Sequence, residues 1–180
     1  MRNAWITVAV MVLSLASASA RSPYAGQESR EIKSLSAQEI GEFLSGKGMG
    51  LAKAAELNGY PGPMHVLELA SELQLSAEQK SRTEALFRKM QARAVAAGRR
   101  LVDEERALDA LFAGKSITPV ALKVYMERIA GLQGEVRRIH LEAHLEQVAV
   151  LTPIQVAKYN QLRGYGAGSG AESHGHKKRH

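Results

Sequence analysis

Ala113-Gly114-Lys115-Ser116-Ile117-Thr118-Pro119 is the stretch that decides the fold. Thr118 followed by Pro119 has the form of a helix N-cap with proline in the first helical position. Gly114 to Ile117 is then a tight loop, and whatever precedes it ends there. Upstream, Ser76 with Gln79 three residues later forms a capping box that opens a helix. Apolar residues recur from it at Phe87, Met90, Ala94, Ala97, Leu101, Leu108 and Leu111, in steps of three and four, out to about Phe112. Gly98 is the one weak point in that run. Downstream, Ile129, Leu132, Val136, Ile139 and Ala143 give a second helix its stripe. Two helices joined by so short a loop must be antiparallel neighbours, each roughly 50 Å long at a rise of 1.5 Å per residue. A lone hairpin of that length buries little surface. Short flanking helices and a second copy of the chain, hence a homodimer, are expected to cover the rest.

The rest of the chain agrees with an all-α domain. Of its 180 residues 45% are hydrophobic but only 5% aromatic, and helix formers dominate, which excludes a large β-sandwich or barrel. Thr152-Pro153, with Gln155 as reciprocal partner, opens a last short helix to about Arg163. Tyr60-Pro61-Gly62-Pro63 is a turn, and Pro63 suits the start of a helix through His65, Leu67 and Leu69. Residues 21–61 read as a flexible leader with short helical pieces broken by glycines, loosest from Arg21 to Lys33. Residues 62–163 read as the folded domain, and 164–180 as a disordered Gly/His-rich tail.

The first twenty residues are an address. Arg2 precedes an apolar run from Ala4 to Leu15, too short to span a bilayer, and Ala18-Ser19-Ala20 has the small-x-small form of a cleavage site. The reading is a secretory signal cut after Ala20, with a retained anchor as the competing one. The mature protein is then exported, to the periplasm in a bacterium, with no integral membrane segment. ATP is scarce there, and the net charge of +6 does not argue for nucleic acid in that compartment. The absence of cysteine excludes disulfides, thiolate metal sites and cysteine nucleophiles.

Candidate chemistry is sparse. Gly41, Gly46 and Lys47 approach a phosphate loop, but Gly48 stands where Ser or Thr is needed and the preceding stretch reads as helix. No nucleophile stands beside His140, so no catalytic residue is assigned. His140 and His144, four apart, lie on one helix face, opposite the side carrying Glu135, Arg138, Glu142 and Glu146. Inward histidines so spaced suit one metal ion; two hydrogen-bonded core histidines are the alternative. His174, His176 and His180 in the tail could bind metal weakly or be idle. Arg88, Arg93, Arg99 and Arg100 lie on the first long helix. They form either a solvated, salt-bridged surface or a basic face that attracts acidic clients.

Leu75-Ser76-Ala77-Glu78-Gln79 and Leu151-Thr152-Pro153-Ile154-Gln155 repeat one form: Leu, hydroxyl residue, two spacers, Gln. Two copies flanking a long helical hairpin behind an export signal resemble the Spy/CpxP family of periplasmic proteins, whose signature is a repeated L-T-x-x-Q. Ser76 stands where that pattern has Thr. The resemblance spans residues 62–163 and implies a curved four-helix cradle, often dimeric, without an active site. Family members hold unfolded clients without ATP, restrain a membrane sensor kinase, or sense heavy metals. The cobalt-nickel sensor branch implies a role for Glu84 and His65 as metal ligands beside His140 and His144. That branch has His and Met in the later pair and two N-terminal histidines, whereas this chain has His twice and one, with Glu68 as a substitute. The donor set suits Zn(II), Ni(II), Co(II) or Cu(II) alike. The expectation is a chaperone-like envelope-stress protein with a transition-metal site. The alternatives are a heavy-metal sensor or resistance regulator, and a structural adaptor dimer without metal.

Overall fold

The structure, a computed structural model, describes residues 22–165. The expected signal and its cleavage site, and the tail beyond residue 165 with His174, His176 and His180, lie outside the described residues. The described chain is helical, in the order α1 (Ala37–Ser45), α2 (Lys53–Glu56), α3 (Pro63–Glu68), α4 (Ala77–Ala113), α5 (Pro119–Val148) and α6 (Pro153–Leu162). That is two helices more than the resemblance implies. No described helix is long and apolar enough to cross a membrane.

The long helices start where their caps put them. Ser76 and Thr118 accept from the backbone amides of Gln79 and Ala121, and Thr152 from that of Gln155 at the head of α6. α4 and α5 run antiparallel. Their seam is apolar: Leu86, Met90, Ala94 and Ala97 pack on Val136, Ile139 and Ala143, and Leu101 packs on Ile129 and Leu132 nearer the loop. One side of the seam is bridged by ion pairs between the helices, Lys89–Glu146, Arg93–Glu142, Arg100–Glu135 and Arg128–Glu104. Such exposed pairs each contribute at most about 1 kcal/mol, so the apolar seam holds the hairpin.

The two Gln residues of the repeat meet at the end of the hairpin away from its loop, and their contact closes that end. Gln79 Nε2 donates to Gln155 Oε1 at 2.8 Å and to the Val150 carbonyl at 3.0 Å. Gln155 Nε2 donates to Gln79 Oε1 at 3.0 Å and to the Leu73 carbonyl at 3.2 Å. Each side-chain oxygen also accepts the backbone amide of its own cap, Ser76 at 3.1 Å and Thr152 at 2.9 Å. A primary amide has two donors and two acceptor sites, and here all are used on both residues. Leu75 and Leu151 of the same motifs share one apolar cluster with Val66, Leu73 and Tyr159. The repeat is therefore one structural unit made of two distant segments.

Two expectations are corrected. The segment expected to be a flexible leader is part of the packed unit, since Ile32 is wholly buried and Phe43 and Leu51 pack on the hairpin core. Glu31 pairs with Arg106, and Lys33 with Asp109, both late in α4. One apolar residue in a polar run has no period, so no pattern announces it. Gly98 is not a weak point. It is buried where α1 ends against α4, and a Cβ there would lie 2.4 Å from the Phe43 carbonyl oxygen. The close approach of two backbones requires glycine, which offsets its helix penalty of about 1 kcal/mol.

Candidate functional site

His140 and His144 occupy successive turns near the end of α5. The helix stripe Ile129–Val136–Ala143 turns toward α4, the histidines sit on its flank, and His144 lies against the Tyr60–Pro63 turn. His140 is 3% exposed and its Nε2 has no hydrogen-bond partner. Burial, and then the neighbouring His144, hold its pKa below the ordinary imidazole value of 6.5. His140 is thus a neutral ring with an unused nitrogen. His144 differs: its Nδ1 donates to the Tyr60 carbonyl at 2.7 Å, which leaves Nε2 as the nitrogen with the free lone pair. Its ring lies against Gly62, where a Cβ would come within 2.9 Å of Nε2. Glycine at this position leaves the room the imidazole occupies.

Beside them stands Glu56, from α2, which the sequence did not single out. Its Oε1 accepts from the Tyr159 hydroxyl at 2.5 Å and from the Tyr165 hydroxyl at 3.1 Å, with Arg163 Nε at 3.5 Å. Its Oε2 lies 3.7 Å from His144 Nδ1 and, like His140 Nε2, is buried without a hydrogen-bond partner. Burial, and then the hydrogen bond to Glu56, raise the Tyr159 phenol far above its ordinary value, so it acts only as a donor. Two tyrosines, an arginine and His144 thus converge on one carboxylate between α2, α5 and α6. The signal that could have found it is slight: Glu56 lies 88 residues before His144, and only its place ahead of the Tyr60–Pro63 turn hinted at a structured neighbourhood.

The other expected ligands have partners of their own. His65 Nδ1 is 2.8 Å from its own helix neighbour Glu68, and Glu84 is half-exposed with Arg88 3.9 Å away. Among the described residues no group of three His, Asp or Glu side chains is placed to hold a metal ion. Of the four residues expected to form a metal site, the structure brings His140 and His144 together, and adds Glu56 next to His144. Of the arginines expected to hold clients, Arg88, Arg93 and Arg100 each face a carboxylate, and Arg99 has no ion-pair partner among the described residues. Leu75, Ser76, Gln79, Leu151, Thr152 and Gln155 form the clasp between the two motifs.

No family model, no curated protein and no solved structure matches the chain.

Because the native state keeps His140 neutral, it binds fewer protons than the unfolded chain below the ordinary imidazole value. The stability this gives is full above pH 6.5 and is lost as pH falls from there through the lower folded value. The thermal midpoint is expected to drop between about pH 7 and pH 5, and His140→Phe to flatten that drop; a slope identical in both proteins would remove His140 as its source.

Proposed function

We propose that this is an exported, ATP-independent holding protein of the Spy/CpxP type, which binds unfolded or acidic protein segments, or the outer part of a membrane sensor protein, through its surface. The observation that carries the reading is the set of large apolar side chains left in solvent along the flanking helices and the closed end: Leu44, Leu57, Met64, Leu145, Ile154 and Leu162. Ile154 is 82% exposed. Isolated exposed apolar residues are ordinary, but so many, spread among arginines and lysines, suit weak multivalent contact with an unfolded chain. Exposed arginine–carboxylate pairs are weak enough to be exchanged for client carboxylates. A holding protein needs no nucleotide and no catalytic group, which fits the proposed export. The bare side of the hairpin is a natural place for a second copy, and a homodimer is part of the proposal.

The mature chain is expected to suppress aggregation of a chemically unfolded substrate without ATP. Leu57→Ser with Met64→Ser and Ile154→Ser should abolish most of that suppression while moving stability by only about 1 kcal/mol, because these side chains are exposed. Absence of suppression at equimolar protein would contradict the reading.

A metal-responsive role is the second reading, favoured by one specific observation. The Tyr60 carbonyl fixes the His144 tautomer as the outer partners of metal-bound histidines do, while His140 Nε2 and Glu56 Oε2 are buried without hydrogen-bond partners. His140 and His144 would supply two ligands to a Zn(II), Ni(II), Co(II) or Cu(II) ion, with Glu56 beside His144 and with His65 and Glu84 paired elsewhere. A Co(II) titration of the tail-deleted mature protein, followed by visible absorption, should show binding that His140→Ala and His144→Ala abolish and Glu84→Ala leaves unchanged. Binding that survives the histidine substitutions would discard the site.

A further inference from the structure

We propose that the free tip of the α4–α5 hairpin docks end-on into the interface of an anionic lipid bilayer. The chain from residue 110 to residue 126 contains no acidic residue and two lysines, Lys115 and Lys123. It also carries the densest group of exposed large apolar side chains in the described chain: Phe112 at 53%, Val120 at 75%, and Leu122, Val124 and Met126 each more than a third exposed. No other helix of the described fold covers these positions; the neighbours of α1 on α4 stop short of the loop, and α2 and α3 lie at the other end of α5.

The distribution of the side chains points to lipid over protein. At 100° per residue, Val120 and Val124 lie on one side of α5, and Leu122 and Met126 roughly opposite, about 200° round. A protein groove or a partner helix covers one face of a helix and would leave the other pair in water. The interfacial zone of a bilayer, entered end-on, surrounds a helix tip on every side. The depth fits as well. The first carboxylates are Asp109 on α4 and Glu127 on α5, and Met126 lies about 10 Å along the helix from Pro119, close to the depth at which interfacial segments sit. Both carboxylates are met by lysines, Asp109 by Lys33 at 3.0 Å and Glu127 by Lys123 at 3.9 Å. The surface that would meet anionic headgroups is therefore cationic, and lysine stems can lie along the apolar layer with their ammonium groups among phosphates. The leader is held at this same end, through Glu31 on Arg106 and Lys33 on Asp109.

The site is independent of the client-holding residues proposed above, so the two fail separately. The mature chain is sedimented with phosphatidylglycerol-rich vesicles and with phosphatidylcholine vesicles. Binding to the first, weakened by salt, is expected, with little to the second. Val120→Ser with Val124→Ser, and separately Leu122→Ser with Met126→Ser, should each weaken it by about tenfold or more, since both sides insert. Both variants should keep client holding and the wild-type thermal midpoint. Phe112→Trp gives a readout that does not depend on those variants folding: Trp5 is the only tryptophan and precedes the expected cleavage site, so the new indole should shift to the blue with anionic vesicles alone. Failure to bind anionic vesicles, or an unshifted indole, overturns the proposal. So does an effect of one side only, which would mean a one-faced protein contact. A wild-type dimer that either tip variant dissociates without lipid overturns it in favour of a second copy. Loss of client holding in the tip variants with vesicle binding intact overturns it in favour of a client.

Discussion

The reciprocal hydrogen bonding of Gln79 and Gln155 is the constraint on which the rest of the structure depends. Each side chain caps its own helix and donates to the other's oxygen and to one more carbonyl, from Val150 and Leu73. The pair therefore fixes the head of α4 to the head of α6, and with them the end of α5. Thr83 and Gln147 extend the same network inward. Thr83 Oγ1 donates to the Gln79 carbonyl and accepts from Gln147 Nε2, and both side chains are fully buried. In a chain with few aromatic residues, a polar network at one end, in which Gln147 Oε1 alone lacks a partner, sets the register that a thin apolar seam would specify weakly. Leu75 and Leu151 close the apolar side of the same junction.

What the junction positions is the polar cluster around Glu56. α6 brings Tyr159 to the carboxylate, and the turn after α2 brings the Tyr60 carbonyl to His144. The end of α5 lies between them because the clasp holds it there. The opposite end of the hairpin has no such closure. The ion pairs across the seam reach as far as Arg128–Glu104, and beyond them the tip is apolar and cationic. The molecule is thus polar and locked at one end, apolar and open at the other. The proposed client-holding and lipid-docking surfaces are distributed over the parts the clasp leaves free.

The parts legible in the sequence were the local ones. A hydroxyl residue, a proline or a Gln at fixed spacing states where a helix begins within one turn, and Ser76, Thr118 and Thr152 each cap the helix expected of them. The apolar period gave the hairpin and the inward flank of His140. The parts that were not legible join residues far apart. Gln79 and Gln155 were readable as caps but not as partners, because capping accounts for each without the other. Glu56 has no local signature, and its meaning comes from Tyr159, Tyr165 and His144 arriving from other helices. Gly98 reads as a flaw until Phe43 is laid across it. Ile32 is a single apolar residue in a polar run, and the burial that makes it an anchor is a tertiary fact.

The most direct test of the account is a double-mutant cycle on the clasp, with Gln79→Ala, Gln155→Ala and the pair compared by urea unfolding. Each single change leaves the other amide with unused donors and acceptors, so the losses should not add: a coupling of about 1 to 2 kcal/mol is expected, with hydrogen exchange speeding in α6 in either single variant. Additive losses, within about 0.3 kcal/mol, would mean that the two motifs are separate helix caps and that something else holds the closed end of the hairpin together.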